Sequence, residues 1–125
     1  TPTDIQSLSN HLMIHYAVGN KAIPCEFEYR ENKTIKVVQM SYKLTVNSTD
    51  AYLHGCLNGM GIVQIPKQGV IDYLLSGDLV EVLPKYTCEA MPVSILYASR
   101  KHVPQRVLHF MDWVCEIFKA SLSQD

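Results

Sequence analysis

The chain reads as an α/β fold, and three observations predict it. Apolar stretches of strand length alternate with short helical stretches, the links between them are brief, and the helical stretches carry their own start and stop signals. All three features are densest in Val46–Leu83, which reads VNSTDAYLHGCLNGMGIVQIPKQGVIDYLLSGDLVEVL. There a strand end, a helix, a strand, a helix and a strand follow one another with hardly a spare residue.

In chain order, Thr1 to Leu8 is expected to be a short helix, with Thr1 as its cap and Pro2 at the first helical position. His11 to Val18 is rich in apolar and aromatic residues and reads as a strand, followed by a turn at Gly19-Asn20-Lys21. Cys25 to Tyr29 alternates in polarity as a strand does, Glu31-Asn32-Lys33 is a hairpin turn, and Thr34 to Met40 is the return strand. Ser41 to Val46 leads into the central helix. A side-chain oxygen of Asn47 or Ser48 can accept from the free amides of its first turn, and Asp50 suits the positive end of its dipole. Leu53, Cys56, Leu57 and Met60 fall on one face at helical spacing, and Gly59 and Gly61 stop the helix. Ile62 to Ile65 is a short strand ended by Pro66. Val70 to Leu75 is a second helix closed by Gly77, and Leu79 to Leu83 is the next strand. Val93 to Ala98 reads as a further strand, and Pro104 opens the longest helix, which runs to about Ala120. That helix carries Val107, Leu108, Phe110, Met111, Trp113, Val114, Cys115, Ile117 and Phe118, an apolar surface wider than one stripe. Such a helix is expected to be covered on most sides, by another copy or by a lobe outside this stretch. The isolated chain should then self-associate or bind apolar dyes.

Composition narrows the function classes. With 125 residues the chain is one small domain or part of a larger one, and its first residue is Thr1 rather than Met, as at a cut in a linker. Eleven basic and twelve acidic residues nearly balance, and no basic stripe is present to grip nucleic acid. No apolar run is long enough to span a membrane. Cys25, Cys56, Cys88 and Cys115 are far apart in mostly apolar contexts, which suits reduced, packed thiols in a cytoplasmic protein.

No catalytic signature stands out. There is no phosphate loop, no zinc spacing and no Gly-x-Ser-x-Gly, and no cysteine has a histidine partner of a known type. His11 and His15 are four apart, but on a strand that spacing separates them, so a structural role is expected. His54 and Cys56 point different ways on a helix. Arg100-Lys101-His102 reads as a solvated turn. No metal and no cofactor is expected. The cap Asn47-Ser48-Thr49 can offer amides and hydroxyls to an anionic or polar ligand, or can be an ordinary cap.

An ordered set of short motifs runs the length of the chain. They are Pro2-Thr3-Asp4 with His11, Cys25-Glu26-Phe27, Val46-Asn47, Gly59-Met60-Gly61-Ile62 with Ile65-Pro66, and Ser76-Gly77-Asp78-Leu79-Val80 with Val82-Leu83-Pro84. Pro92 to Arg100 then leads into Val103-Pro104 and Arg106-Val107-x-x-Phe110-Met111-Asp112-x-Val114. Together they resemble the C-terminal part of the effector-binding domain of LysR-type transcriptional regulators. The resemblance implies a type 2 periplasmic-binding-protein-like α/β fold of two lobes with a ligand between them. Residues 1–91 would be mainly the second lobe, and 92–125 the returning strand and helix of the first lobe. The winged helix-turn-helix and most of the first lobe of such a regulator are then expected to lie outside this stretch.

The same resemblance implies a small-molecule effector and no enzymatic activity. It also implies a homodimer or tetramer of the full-length protein, and DNA contact only through the N-terminal domain that is absent here. Family dimers pair a second-lobe helix with a first-lobe helix of the partner, and here the second-lobe candidate is Thr49 to Asn58. Val18, Gly19, Pro24, Phe27, Asn47, Ser48 and Thr49 would lie at the cleft, with Val18 and Phe27 equally readable as core. The alternative from a different class is a lobe of a secreted solute-binding protein of a transport system.

Overall fold

The structure, a computed structural model, describes residues 1–19, 23–90, 92–97 and 103–122. The chain divides into two compact units, Thr1–Ala90 and Met91–Asp125.

The first unit is built on strand β1 (Leu12–Tyr16), which pairs in parallel with β4 (Ser41–Val46). On its other side β1 meets Ile62, which exchanges two backbone hydrogen bonds with it. The Ile62 N–H donates to Leu12 O at 2.8 Å, and the Ile14 N–H donates to Ile62 O at 2.9 Å. A parallel strand with neighbours on both edges is normally covered on both faces, and β1 is: Met13 and Ile14, on opposite faces, are both buried. Ile14 points at helix α1 (Thr49–Leu57), and Met13 joins a core of Leu8, Cys25, Phe27, Tyr29, Met40 and Leu83.

That core is roofed by the hairpin of β2 (Glu26–Glu31) and β3 (Thr34–Gln39). Cys25, Phe27 and Tyr29 point inward while Glu26, Glu28 and Arg30 do not, the period-two alternation of a half-buried strand. The turn residues Asn32 and Lys33 both have positive φ, at 50° and 64°, as the tight hairpin turn that matches strand twist requires.

Helix α1 starts where β4 ends. Its cap is Ser48, whose hydroxyl accepts from the Ala51 N–H at 3.3 Å. Its C-terminus closes at Gly59, with φ 71°, through bonds from the Gly59 N–H to Cys56 O and from the Met60 N–H to Gly55 O. Gly61 is needed for a different reason from helix stopping. A Cβ there would stand 2.9 Å from Leu12 O and 3.1 Å from Met13 C, against the backbone of β1. The residues by which α1 packs are Tyr52 and Gly55 rather than the expected Leu53-Cys56-Leu57-Met60 stripe, which is only half buried, with Met60 exposed. The missing side chain at Gly55 lets the helix settle on Ile14 and Leu44, so the contact face centres there. After a 3₁₀ turn at Lys67–Gly69, helix α2 (Ile71–Ser76) ends at Gly77, with φ 84°.

Several expected elements differ. The N-terminal segment forms a 3₁₀ helix at Gln6–Asn10, organised by Asp4 and not by Thr1: the Asp4 carboxylate accepts from the Ser7 N–H at 2.7 Å. Ile62–Ile65 contributes one ladder residue instead of a strand. Leu79–Leu83 is not a strand: no neighbour takes up its backbone groups in a ladder among the described residues, and Leu83 turns the chain with φ 54° while burying its side chain. The segment that follows lies along the outer edge of β2, with the Arg30 N–H donating to Thr87 O at 2.8 Å and Tyr86 edge-on to Tyr29.

In the second unit, residues 93–97 carry exposed Val93, Ile95, Leu96 and Tyr97 and form no ladder, so the expected strand is absent there; Ala98 and the Arg100-Lys101-His102 cluster lie outside the described residues. Helix α3 (Gln105–Leu122) follows Pro104, whose C=O accepts from the Val107 N–H at 2.9 Å. Its polar residues Gln105, His109, Asp112, Glu116 and Lys119 form one stripe at helical spacing, so the helix is amphipathic with a wide apolar arc rather than apolar all round. Phe110 and Trp113 touch at 5.8 Å between ring centroids on that arc, and Trp113 is 56% exposed.

Candidate functional site

The parallel pairing of β1 and β4 decides where the candidate residues meet. Tyr16 lies opposite Val46, and the Ala17 N–H donates to Val46 O at 2.7 Å. Two strands therefore end side by side, so that Val18-Gly19 and Asn47-Ser48-Thr49 leave the sheet at one edge. This is the carboxyl edge of parallel strands, where open α/β sheets hold their ligands. Val18 is 60% exposed, and Gly19 turns with φ 65°.

Helix α1 aims its N-terminus at this edge. Ser48 satisfies the Ala51 amide, and the Thr49 and Asp50 amides have no partner within the helix. These amides and the Ser48 and Thr49 hydroxyls can donate to an acceptor on a ligand, while the exposed Asp50 carboxylate adds negative charge beside them.

Pro24 is exposed, and its neighbour Ile23 is tied to β1: the His15 ring stands 2.8 Å from Ile23 O through Nε2 and 3.3 Å from the Thr45 hydroxyl through Nδ1. Phe27 is placed differently. It is 4% exposed within the core with Met13 and Leu83, so its ring offers almost no surface to a ligand.

One residue that holds the surroundings together was not singled out by the sequence as doing so. Gln64 acts as a substitute strand: its side-chain amide accepts from the Glu28 N–H at 2.9 Å and donates to Glu28 O at 2.8 Å. Its own N–H donates to the Tyr52 hydroxyl at 3.0 Å, and Cys88 Sγ lies 2.9 Å from its Nε2. The available signal was a polar residue inside the apolar run Ile62-Val63-Gln64-Ile65. His15 fills the structural role expected of it, tying β1 to Ile23 and Thr45. Among the described residues no group of three or more His, Cys, Asp or Glu could hold a metal.

All four cysteines are free: Cys25 is buried, Cys56 half-buried, Cys88 and Cys115 exposed, so the expected packing holds for the first two only. Burial pushes the Cys25 and Cys56 thiols up, and burial with the nearby Glu28 charge does the same to Cys88. Burial likewise raises the Tyr52 hydroxyl. Two shallow depressions in this unit lie elsewhere, one of about 270 Å³ at residues 10–12 and 59–62 and one of about 240 Å³ at residues 1–3 and 81–86. The first sits at the opposite end of β1 from Val18.

Comparison with known proteins agrees with this architecture. The family model described as the LysR substrate binding domain matches residues 1–119. The uncharacterized HTH-type transcriptional regulator YhjC of Escherichia coli is 34% identical over 121 residues, covering 97% of this chain and 40% of that protein. An HTH-type transcriptional repressor of Pseudomonas aeruginosa is 29% identical over 111 residues, 89% of this chain and 35% of its own length. The probable HTH-type transcriptional regulator LtrA of Klebsiella pneumoniae is 26% identical over 123 residues, 96% and 39% respectively. The chain belongs to the LysR substrate-binding domain family, a family of transcriptional regulators whose fold is α/β and of the type 2 periplasmic-binding-protein kind. It spans about two fifths of the length of these relatives. No helix among its described residues is long and apolar enough to cross a membrane.

Proposed function

We propose that the chain is the sensing part of a ligand-responsive transcriptional regulator, and that it binds a small polar effector where β1 and β4 end. The observation that carries this is the side-by-side exit of the two strands beneath the open N-terminus of α1. Val18, Gly19, Pro24, Asn47, Ser48 and Thr49 would contact the effector, and Phe27 would support them from the core. Residues 1–91 would form the second lobe of a two-lobed domain, and 92–125 would complete the first. In the intact cytoplasmic protein, effector binding would close the lobes and shift a dimer or tetramer. The half-exposed stripe Leu53-Cys56-Leu57 on α1 would supply part of the contact. A separate helix-turn-helix domain would touch the DNA. The effector drives such a change only by as much as it prefers one arrangement. Family membership favours this reading over a transport lobe and over an enzyme.

The test is an NMR screen of the labelled chain against small carboxylates, sugars and amino acids. A true effector moves the amide signals of Val18-Gly19 and Asn47-Thr49 together. Ligands that move only residues 10–12 and 59–62 would place binding at the other end of β1 and end this reading.

A further inference from the structure

The proposed effector edge is assembled from three separate strips of chain: Val18-Gly19 after β1, Pro24 before β2, and Asn47-Thr49 after β4. One side chain touches the roots of all three. His15 belongs to β1, three residues before Val18. Its Nε2 stands 2.8 Å from the carbonyl of Ile23, the residue before Pro24. Its Nδ1 stands 3.3 Å from the hydroxyl of Thr45, two residues before Asn47. Its ring also rests on Tyr42 of β4, at 4.8 Å between centroids. A carbonyl can only accept, so Nε2 carries the hydrogen, and the neutral ring accepts the Thr45 hydroxyl proton at Nδ1. Both ring nitrogens are thereby used, in different directions, on different segments.

We propose that His15 is a positioning residue that sets the spacing of the three strips; the inference rests on reading that edge as the effector site. The ring has no role as a ligand-binding group itself. It fixes Ile23, just ahead of β2, against the end of β4, so the backbone at Pro24 is held at a set distance from the cap of α1. Beyond the β1–β4 ladder itself, the backbone bond from the Ala17 N–H to Val46 O is what secures the exit of β1 from the sheet.

Amide hydrogen exchange and ring 15N shifts of the labelled chain test this without any effector. The wild-type ring should show the Nε2–H tautomer; an Nδ1–H tautomer would overturn the assignment. In H15F, which keeps a ring over Tyr42 but loses both nitrogens, the Ala17 amide should exchange about threefold to tenfold faster, the loss of one ordinary hydrogen bond's worth of protection. H15Q, whose amide N–H reaches the place of Nε2, should return exchange to near wild type. The Ile14 amide, bonded to Ile62 on the other side of β1, should not change in either variant. An unchanged Ala17 in H15F, an Ile14 that accelerates in step with it, or an H15Q as fast as H15F would each sink the proposal. Should H15F fail to fold, H15N, which reaches only the place of Nδ1, is compared with H15Q by the same criteria. Failure of the effector reading alone would appear as no ligand-induced shifts with these exchange ratios intact.

Discussion

Replacing Gly61 with alanine should destabilise the first unit more than replacing Gly55, although both glycines sit against β1. At Gly61 the new methyl would meet Leu12 O at 2.9 Å, Met13 C at 3.1 Å and Ile14 N at 3.2 Å, all backbone atoms of a strand held on both edges. The strand and Ile62 must separate, which weakens the two hydrogen bonds between them. Those bonds are worth about 1 kcal/mol each, and forced overpacking adds about 1–3 kcal/mol. A stiffer unfolded chain offsets about 0.4–1 kcal/mol, so the net loss is about 2–4.6 kcal/mol. At Gly55 the methyl would meet the Ile14 Cδ1 at 2.8 Å and Leu44 Cδ2 at 3.2 Å, which are side-chain ends that can turn aside. Alanine also favours the helix by about 1 kcal/mol, so G55A should lose no more than about 2 kcal/mol. Urea unfolding followed by far-UV circular dichroism compares the two directly. A G61A within about 1 kcal/mol of wild type, or a G55A that is the worse of the pair, would refute the close-approach argument.

Other outcomes follow from the same geometry. Ser48→Ala should lower stability by about 1 kcal/mol through loss of the α1 cap, while Ser48→Asp should keep it, as read by urea midpoints. Gln64→Leu leaves the Glu28 N–H without its partner and the Glu28 C=O with only the Cys88 thiol, 3.5 Å away, and should lose about 1–3 kcal/mol at these part-buried groups, measured the same way. Stability should hold up to about pH 9 and fall above it. The Cys25, Cys56, Cys88 and Tyr52 protons are held more tightly in the folded chain than in the unfolded one, so the unfolded chain ionises first as pH rises. Urea midpoints between pH 8 and 11 check this, and C56A should show a shallower fall. Phe110, Trp113, Ile117 and Phe118 are exposed on α3, so the chain should enhance the fluorescence of an apolar dye, and W113E should reduce it.

What could be read from the sequence was local. The hairpin turn at Asn32-Lys33, the Ser48 cap and the glycine stops at Gly59 and Gly77 depend on neighbours within a few residues, and all stand in the structure. The readings at Leu79–Leu83 and Val93–Ala98 relied on apolar composition, but a strand is a relation between two segments, and composition does not supply the second one. The α1 stripe at Leu53 was misjudged because burial followed the gap at Gly55, not the largest apolar side chains. At the site, the cap was legible and the meeting of Val18 with Asn47 followed once β1 and β4 were seen to be parallel neighbours. His15 was legible as structural but its partners were not, and Gln64 was not legible as an anchor. Gln64 bonds a residue 36 positions away, and a polar side chain reaching across that distance leaves no periodic trace.

The Gln64 amide also bears on solubility. A strand lying at the border of a sheet is a template on which another chain can polymerise, since its N–H and C=O groups invite a partner. On the side of β2 away from β3, that invitation is withdrawn: Gln64 occupies both polar groups of Glu28, and Thr87 takes the N–H of Arg30. An intruding chain would have to displace a side chain and a tethered segment before its first bond could form. Along β3, the other border of the hairpin, Thr34, Lys36, Val37 and Gln39 face solvent, and the charged lysine discourages stacking of one copy on the next.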